Sequence, residues 1–201
     1  MNANEYVRGA YQSGKWAFVS DYFRLKALYE QGGVYLDTDV ELLRPFGDLL
    51  ELSGFAGFED AEHVATCVLG AEKEHGFFRQ AMELYEGRTF LREGGEPDLT
   101  TNVEILTGLL GRNGLEPDGA RQSVMGMEIF PAEYFSPRSL ETGKLTKTGN
   151  TYAIHWFEAS WQTGSQRFHR KVAQVIGKKN TERLKKLLGR SGGPESSGRS
   201  G

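Results

Sequence analysis

The run Gly32-Gly33-Val34-Tyr35-Leu36-Asp37-Thr38-Asp39 places two carboxylates at i and i+2, directly after a short apolar stretch. If that stretch is a strand continuing through the acids, both project from one side of an extended backbone, with Cα atoms about 6.5 to 7 Å apart. One divalent cation, or a cation and a sugar hydroxyl, fits between them. Oxygen ligands of this kind suit Mg2+ or Mn2+ and the phosphates such ions carry. Upstream, Ala17, Asp21, Arg24 and Leu28 fall on one face of a helix, with Asp21 and Arg24 at i, i+3. Two readings stand. The pair is either a solvated ion pair worth a few tenths of a kcal/mol, that is about 0.2–0.5, or part of the same cleft as the two acids, because the helix feeds their strand through a tight Gly-Gly turn.

The elements that must position these groups alternate between helix and strand, which predicts an α/β sheet covered by helices. The clearest helix spans about Lys15 to Gln31, with an apolar stripe of Phe18, Tyr22, Leu25, Leu28 and Tyr29 and a stop at Gly32 or Gly33. Strands are expected at the acid-bearing run, Gly54 to Phe58, Ala65 to Leu69, Gly126 to Phe130 and Thr151 to Trp156. Further helices are expected near His75 to Tyr85, Thr101 to Leu110 and Gln166 to Leu188. There is no internal repeat.

With 201 residues, 38% hydrophobic and 25% charged, the chain can bury one good core and is short for two full domains. No stretch approaches the ~18 apolar residues of a membrane span, and no leader pattern opens the sequence. The single cysteine, Cys67, lies in the apolar run Val64 to Leu69 and reads as a small core residue. A reducing, cytoplasmic setting is the expectation. The net charge of −3 conceals an asymmetry: residues 165–190 hold nine Lys or Arg against Glu182 alone. The expected organisation is therefore an acidic domain over residues 1–164, a basic helix over 165–190 and a disordered Ser/Gly-rich tail over 191–201. Phe168, Val172, Val175, Ile176, Leu184, Leu187 and Leu188 recur on a helical period among the cations. That suits either peripheral contact with an anionic membrane surface or a solvated terminal helix packed on the core. Nucleic acid is disfavoured, because the arm lacks interleaved aromatics and the body is acidic.

Together, Trp16-Ala17-Phe18-Val19-Ser20-Asp21-Tyr22-Phe23-Arg24, Leu28-Tyr29, Gly32-Gly33-Val34-Tyr35-Leu36-Asp37-Thr38-Asp39-Val40 and Pro45 resemble the DXD-containing glycosyltransferases of the family 32 type, among them capsular-polysaccharide, mannosyl and galactosyl transferases. The paired motif Ser-Asp-x-x-Arg and Gly-Gly-x-Tyr-x-Asp-x-Asp is also similar to that of the clostridial toxin glucosyltransferases. Phe130-Pro131-Ala132-Glu133-Tyr134-Phe135, Thr151-Tyr152-Ala153-Ile154-His155-Trp156 and Ser160-Trp161 look like the closing segments of the bacterial members. One departure is visible. The family usually begins with a strand and helix that help form the base pocket, whereas this chain enters near Asn2-Ala3-Asn4-Glu5-Tyr6, so an N-terminal strand is expected to be lacking and the chain alone to be poorly stable or weakly active.

The resemblance implies a GT-A-like fold with a mixed, mostly parallel sheet flanked by helices, a nucleotide-sugar donor, Mn2+ or Mg2+, and transfer with retention. It implies Asp39 as main metal ligand, with Asp37 nearer the ribose and donor-sugar hydroxyls and reaching the metal or its waters. Asp21, beside Ser20, would accept hydrogen bonds from sugar hydroxyls, and Arg24 would hold donor oxygens with its planar fork. His155 would ligate the metal or contact the phosphates, or else be a hydrogen-bonded core histidine near Trp156 and Trp161. Ser160 and Trp161 would touch the diphosphate, the tryptophan being equally natural as a core plug. Glu59 and Asp60 either line the acceptor side or form a solvated loop. No side chain stands out as a nucleophile, which favours a front-face displacement.

The expected activity is thus hexosyl transfer from a nucleotide sugar to a saccharide or lipid-linked glycan, in bacterial surface-polysaccharide synthesis at the cytoplasmic side. Two alternatives carry less of the pattern. A shortened nucleotide-sugar-binding domain would keep the motifs without turnover. A haloacid-dehalogenase-type phosphohydrolase also places Asp-x-Asp after a strand, yet Val40-Glu41 follows the acids here and Ser20-Asp21-x-x-Arg24 is left without a role.

Overall fold

The computed structural model describes residues 4–157. Asn4 opens the first helix, α1 (Glu5–Gln12), its side-chain oxygen accepting the Val7 amide, a side-chain N-cap. The second helix, α2 (Trp16–Gln31), ends at Gly32, whose amide donates to the Leu28 carbonyl and whose φ of 69° and ψ of −167° lie in a region open almost only to glycine. A Cβ there would come within 2.7 Å of the Lys73 backbone nitrogen. The chain then runs through β1 (Gly33–Leu36), β2 (Val40–Leu42), a 3-10 turn at Gly47–Glu51, β3 (Gly54–Gly57) and β4 (Val68–Ala71). After these come α3 (Gly76–Glu83), α4 (Asn102–Arg112), β5 (Gln122–Val124), β6 (Met127–Phe130), a 3-10 turn at Ala132–Tyr134 and β7 (Ala153–His155). His75 caps α3 through its ring nitrogen, and Thr101 with Glu104 forms a capping box on α4.

The strands make a five-stranded sheet in the order β1-β4-β3-β6-β5 and a separate ribbon of β2 and β7. The sheet is mixed and flanked by helices, an α/β architecture consistent with a GT-A-like fold. Its balance of directions corrects the expectation of a mostly parallel sheet: β3 and β6 pair parallel, whereas β1/β4, β3/β4 and β5/β6 are antiparallel. The reason is local. β4 runs backwards between β1 and β3, and β5 returns into β6 through Met125-Gly126, both at positive φ, as in a two-residue hairpin turn. Because β4 opposes both neighbours, β1, β3 and β6 all finish at one edge of the sheet.

Two apolar clusters hold this together. One joins Tyr6, Leu25, Leu28, Phe77, Phe78, Tyr85, Leu106, Leu110 and Ile129 between helices and sheet. The other gathers Phe46, Phe55, Cys67, Phe130, Phe135 and Tyr152 and fixes the ribbon to the sheet. Cys67 is buried beside Ser136, and burial pushes its thiol up to about 12, in keeping with an inert core residue. Of a second unit, Leu140–Lys144 with residues 162–201, only the first five residues are described; there the Lys144 amide donates to Thr142 Oγ1. The expected basic helix at 165–190 and tail at 191–201 lie outside the described residues. Among the described residues no helix is long and apolar enough to cross a membrane.

Candidate metal and sugar site

The strand bearing Asp37 stops earlier than the sequence suggests. β1 ends at Leu36, and the Val40 amide donates to the Asp37 carbonyl at 3.1 Å, so Asp37-Thr38-Asp39-Val40 is a turn in place of the expected extended segment. The turn serves convergence better. It leads straight into β2, which pairs with β7 so that Val40 faces His155, and the Trp156 amide donates to the Asp39 carbonyl at 3.0 Å. Asp37, Asp39 and His155 thereby each offer one ligand atom, all within 4.8 Å of one another. His155 Nε2 lies 3.3 Å from Asp39 Oδ1.

Behind these groups stands a buried cation. Arg24 is only 7% exposed; its Nη2 meets Asp21 Oδ1 at 3.0 Å and its Nη1 meets Asp37 Oδ1 at 3.1 Å. Nη1 also donates to the Thr66 carbonyl at 2.8 Å, while the guanidinium lies over the Tyr35 ring. Tyr35 donates its hydroxyl to Asp37 Oδ1 at 2.7 Å. Asp21 and Arg24 are therefore no solvated surface pair. Burial, and secondarily the Asp37 charge, raises the Asp21 pKa to about 6 against the pull of Arg24 and an Asn102 backbone hydrogen bond. Burial opposes the charge on Arg24, but Asp21 and Asp37 together raise its pKa, so it stays a cation.

His155 is pushed the other way: burial lowers its pKa although Asp39 and Asp37 oppose this, which keeps the ring neutral near pH 7. Its Nδ1 is buried without a hydrogen-bond partner among the described residues. Two carboxylates and a neutral imidazole are a fitting donor set for Mn2+ or Mg2+, imidazole favouring the former. Their ligand atoms lie within 4.8 Å of one another, against the ~4.2 Å that separates opposite ligands at about 2.1 Å from one Mg2+.

The structure thus brings together Asp21, Arg24, Asp37, Asp39 and His155. Ser20 stands apart, exposed, with its hydroxyl donating to the Ala17 carbonyl of its own helix. Ser160 and Trp161 lie outside the described residues. Tyr35 and Thr66 were missed from sequence. Tyr35 was recoverable, being two residues from Asp37 in the strand, whereas Thr66 is 42 positions from Arg24 and carried no signal. The aromatic segments resembling closing motifs support the ribbon: Tyr152 donates its amide to the Tyr134 carbonyl, and its carbonyl accepts the Leu43 amide. A cleft of about 330 Å3 opens at the other end of β1, lined in part by Gly33, Leu50 and Phe55; it includes none of the acids of the site.

Residues 2–56 match the family described as the glycosyltransferase sugar-binding region containing DXD motif. The matched span includes Ser20, Asp21, Arg24, Asp37 and Asp39, with Asp37-Thr38-Asp39 as its Asp-x-Asp, and it points to a glycosyltransferase-type function. No curated protein and no solved structure matches the chain.

Proposed function

We propose that the protein is a metal-dependent glycosyltransferase that moves a hexose from a nucleotide-sugar donor to a saccharide or lipid-linked glycan, with retention, in bacterial surface-polysaccharide synthesis. The observation that carries this reading is the convergence of Asp37, Asp39 and His155 within 4.8 Å, two of them inside the matched sugar-binding region. Asp39 and His155, with Asp37, would hold Mn2+ or Mg2+. When bound, the ion supplies the positive charge that offsets the departing diphosphate.

The chain's own residues divide the remaining work. Asp37 is fixed in place by Arg24 and Tyr35 on its Oδ1, so its second oxygen is held ready for a metal or a ribose hydroxyl. Arg24 acts as a positioning residue: its two terminal nitrogens already engage Asp21, Asp37 and Thr66, and its charge lowers the cost of two neighbouring carboxylates. Asp21 accepts hydrogen bonds from donor-sugar hydroxyls. Ser160 and Trp161 contact the diphosphate. No nucleophile is assigned, and the acceptor hydroxyl attacks from the face the leaving group departs, its proton passing to the departing phosphate oxygen.

The enzyme would work in the cytoplasm, with residues 165–190 touching the inner face of the membrane. Liposome sedimentation of the chain with and without residues 165–201 tests that contact, and equal pelleting would dismiss it. The activity itself is tested with a panel of UDP- and GDP-sugars: Mn2+-dependent binding and donor turnover, lost in Asp39→Ala with the fold intact, is the expected result.

A further inference from the structure

Glu59 follows β3 by two residues and sits in a turn that is held without its side chain. Phe58 and Val64 bridge, the Glu59 amide donates to the His63 carbonyl at 2.7 Å, and Asp60 Oδ1 accepts the Glu62 and His63 amides at 2.8 Å each. β1 and β3 finish at the same edge of the sheet, so Glu59 shares that edge with Asp37 and Asp39, the place where strand carboxyl ends present ligands. Between them lies the start of the β4 segment, where the Cys67 carbonyl accepts the Asp37 amide and the Thr66 carbonyl accepts Arg24.

The Glu59 carboxyl differs from its acidic neighbours. Asp21 and Asp37 share Arg24, Asp39 meets His155 and Asp60 meets His63, whereas the half-buried Glu59 carboxyl has no hydrogen bond or ion pair among the described residues. Burial first, then Asp60 and the Asp37 charge, raise its pKa, with His63 opposing, so it lies within the electrostatic reach of the site. A carboxylate without a neutralising cation repels a diphosphate. It is well suited to neutral hydroxyls, which donate charge-assisted hydrogen bonds to its two oxygens.

We propose that Glu59 is the acceptor-side carboxylate of the site, accepting hydrogen bonds from hydroxyls of a neutral saccharide and setting which of them faces the donor. This rests on the glycosyl-transfer reading above. The test is saturation-transfer NMR of methyl α-D-glucoside, galactoside and mannoside with the full chain, Mg2+ and UDP or GDP, comparing wild type with Glu59→Gln and Glu59→Ala. A glycoside that binds the wild type should bind Glu59→Ala at least tenfold more weakly while nucleotide affinity stays within twofold, and Glu59→Gln should melt no lower than wild type. Equal glycoside signals in Glu59→Ala, no glycoside signal in a wild type that binds nucleotide, or a Glu59→Gln chain that melts lower would overturn the assignment. Failure of the wild type to bind either nucleotide would instead overturn the donor reading.

Discussion

At the scale of single residues, the site is organised around a cation that solvent barely reaches. Removing one partner of a buried, hydrogen-bonded ion pair costs about 3–5 kcal/mol, because the remaining charges are left without compensation. Arg24→Ala should therefore destabilise the fold by about that amount in denaturant titrations, and Arg24→Lys should rescue it only partly, since an ammonium lacks the planar fork. Asp21 supplies a pH signature. Its folded pKa of about 6 lies above the ordinary value near 3.9, so the folded state binds this proton more tightly than the unfolded chain. Its ionisation therefore erodes stability as pH rises between about 4 and 6 and has no further effect above. Asp21→Asn lacks that erosion, and its melting temperature should gain on the wild type across the window; a constant difference from pH 4 to 7 would contradict the placement of Asp21. The spacing of Asp21 and Arg24 was readable in the sequence, but their burial was not, since i, i+3 geometry is the same on a wet face and a dry one.

At the scale of elements, each acid is aimed by where its strand or helix stops. The α2 stop was visible in Gly32-Gly33, and the backbone explains why glycine is needed at the first of them. Gly32→Ala forces a side chain into a glycine-only region worth about 1–3 kcal/mol of strain and against the Lys73 backbone. It should lower stability by at least that much, and weaken metal binding by displacing β1. The Asp37–Val40 turn was not visible, because apolar residues flank the acids on both sides and Val40 reads as a continuation of the strand. Pairing with β7, 115 residues downstream of Val40, decides the matter. The partner strand was anticipated at Thr151 to Trp156, but not its place beside Asp39. Away from the site, the loop before α4 depends on Asp98. Although its burial opposes ionisation, Arg88, Thr100 and Arg92 hold its pKa well below the usual carboxylate range. A depressed pKa stabilises the fold above the unfolded value near 4 and is lost as pH falls below it. Asp98→Asn should cost about 1.5–3 kcal/mol at pH 7, the scale of hydrogen bonds to a charged group, and markedly less at pH 3, as thermal melts would show.

At the scale of the molecule, the carboxyl end of β1, helix α2 and the β2–β7 ribbon meet, and that meeting makes a single site out of residues 21 to 155. The α/β class followed from the alternation of helical and strand patterns, and the sequence order of elements was largely legible. Strand direction is less so, because short strands with apolar neighbours look alike whether they run parallel or antiparallel; α1 and the β5 hairpin are not legible, the one because its eight residues make barely two turns, the other because Met125 stands where Asn or Gly would mark a turn. The membrane proposal is based on the basic arm, whose apolar residues recur on a helical period among its cations.

If Asp37, Asp39 and His155 hold one cation as proposed, titration calorimetry of MnCl2 into the chain, with UDP-glucose or GDP-mannose present, reads it most directly. One equivalent of Mn2+ should bind the wild type, with affinity reduced at least tenfold in Asp39→Ala and clearly weakened in His155→Ala, both variants retaining the wild-type circular dichroism spectrum. Mn2+ binding that is absent from the wild type, or unchanged in both folded variants, would contradict the account.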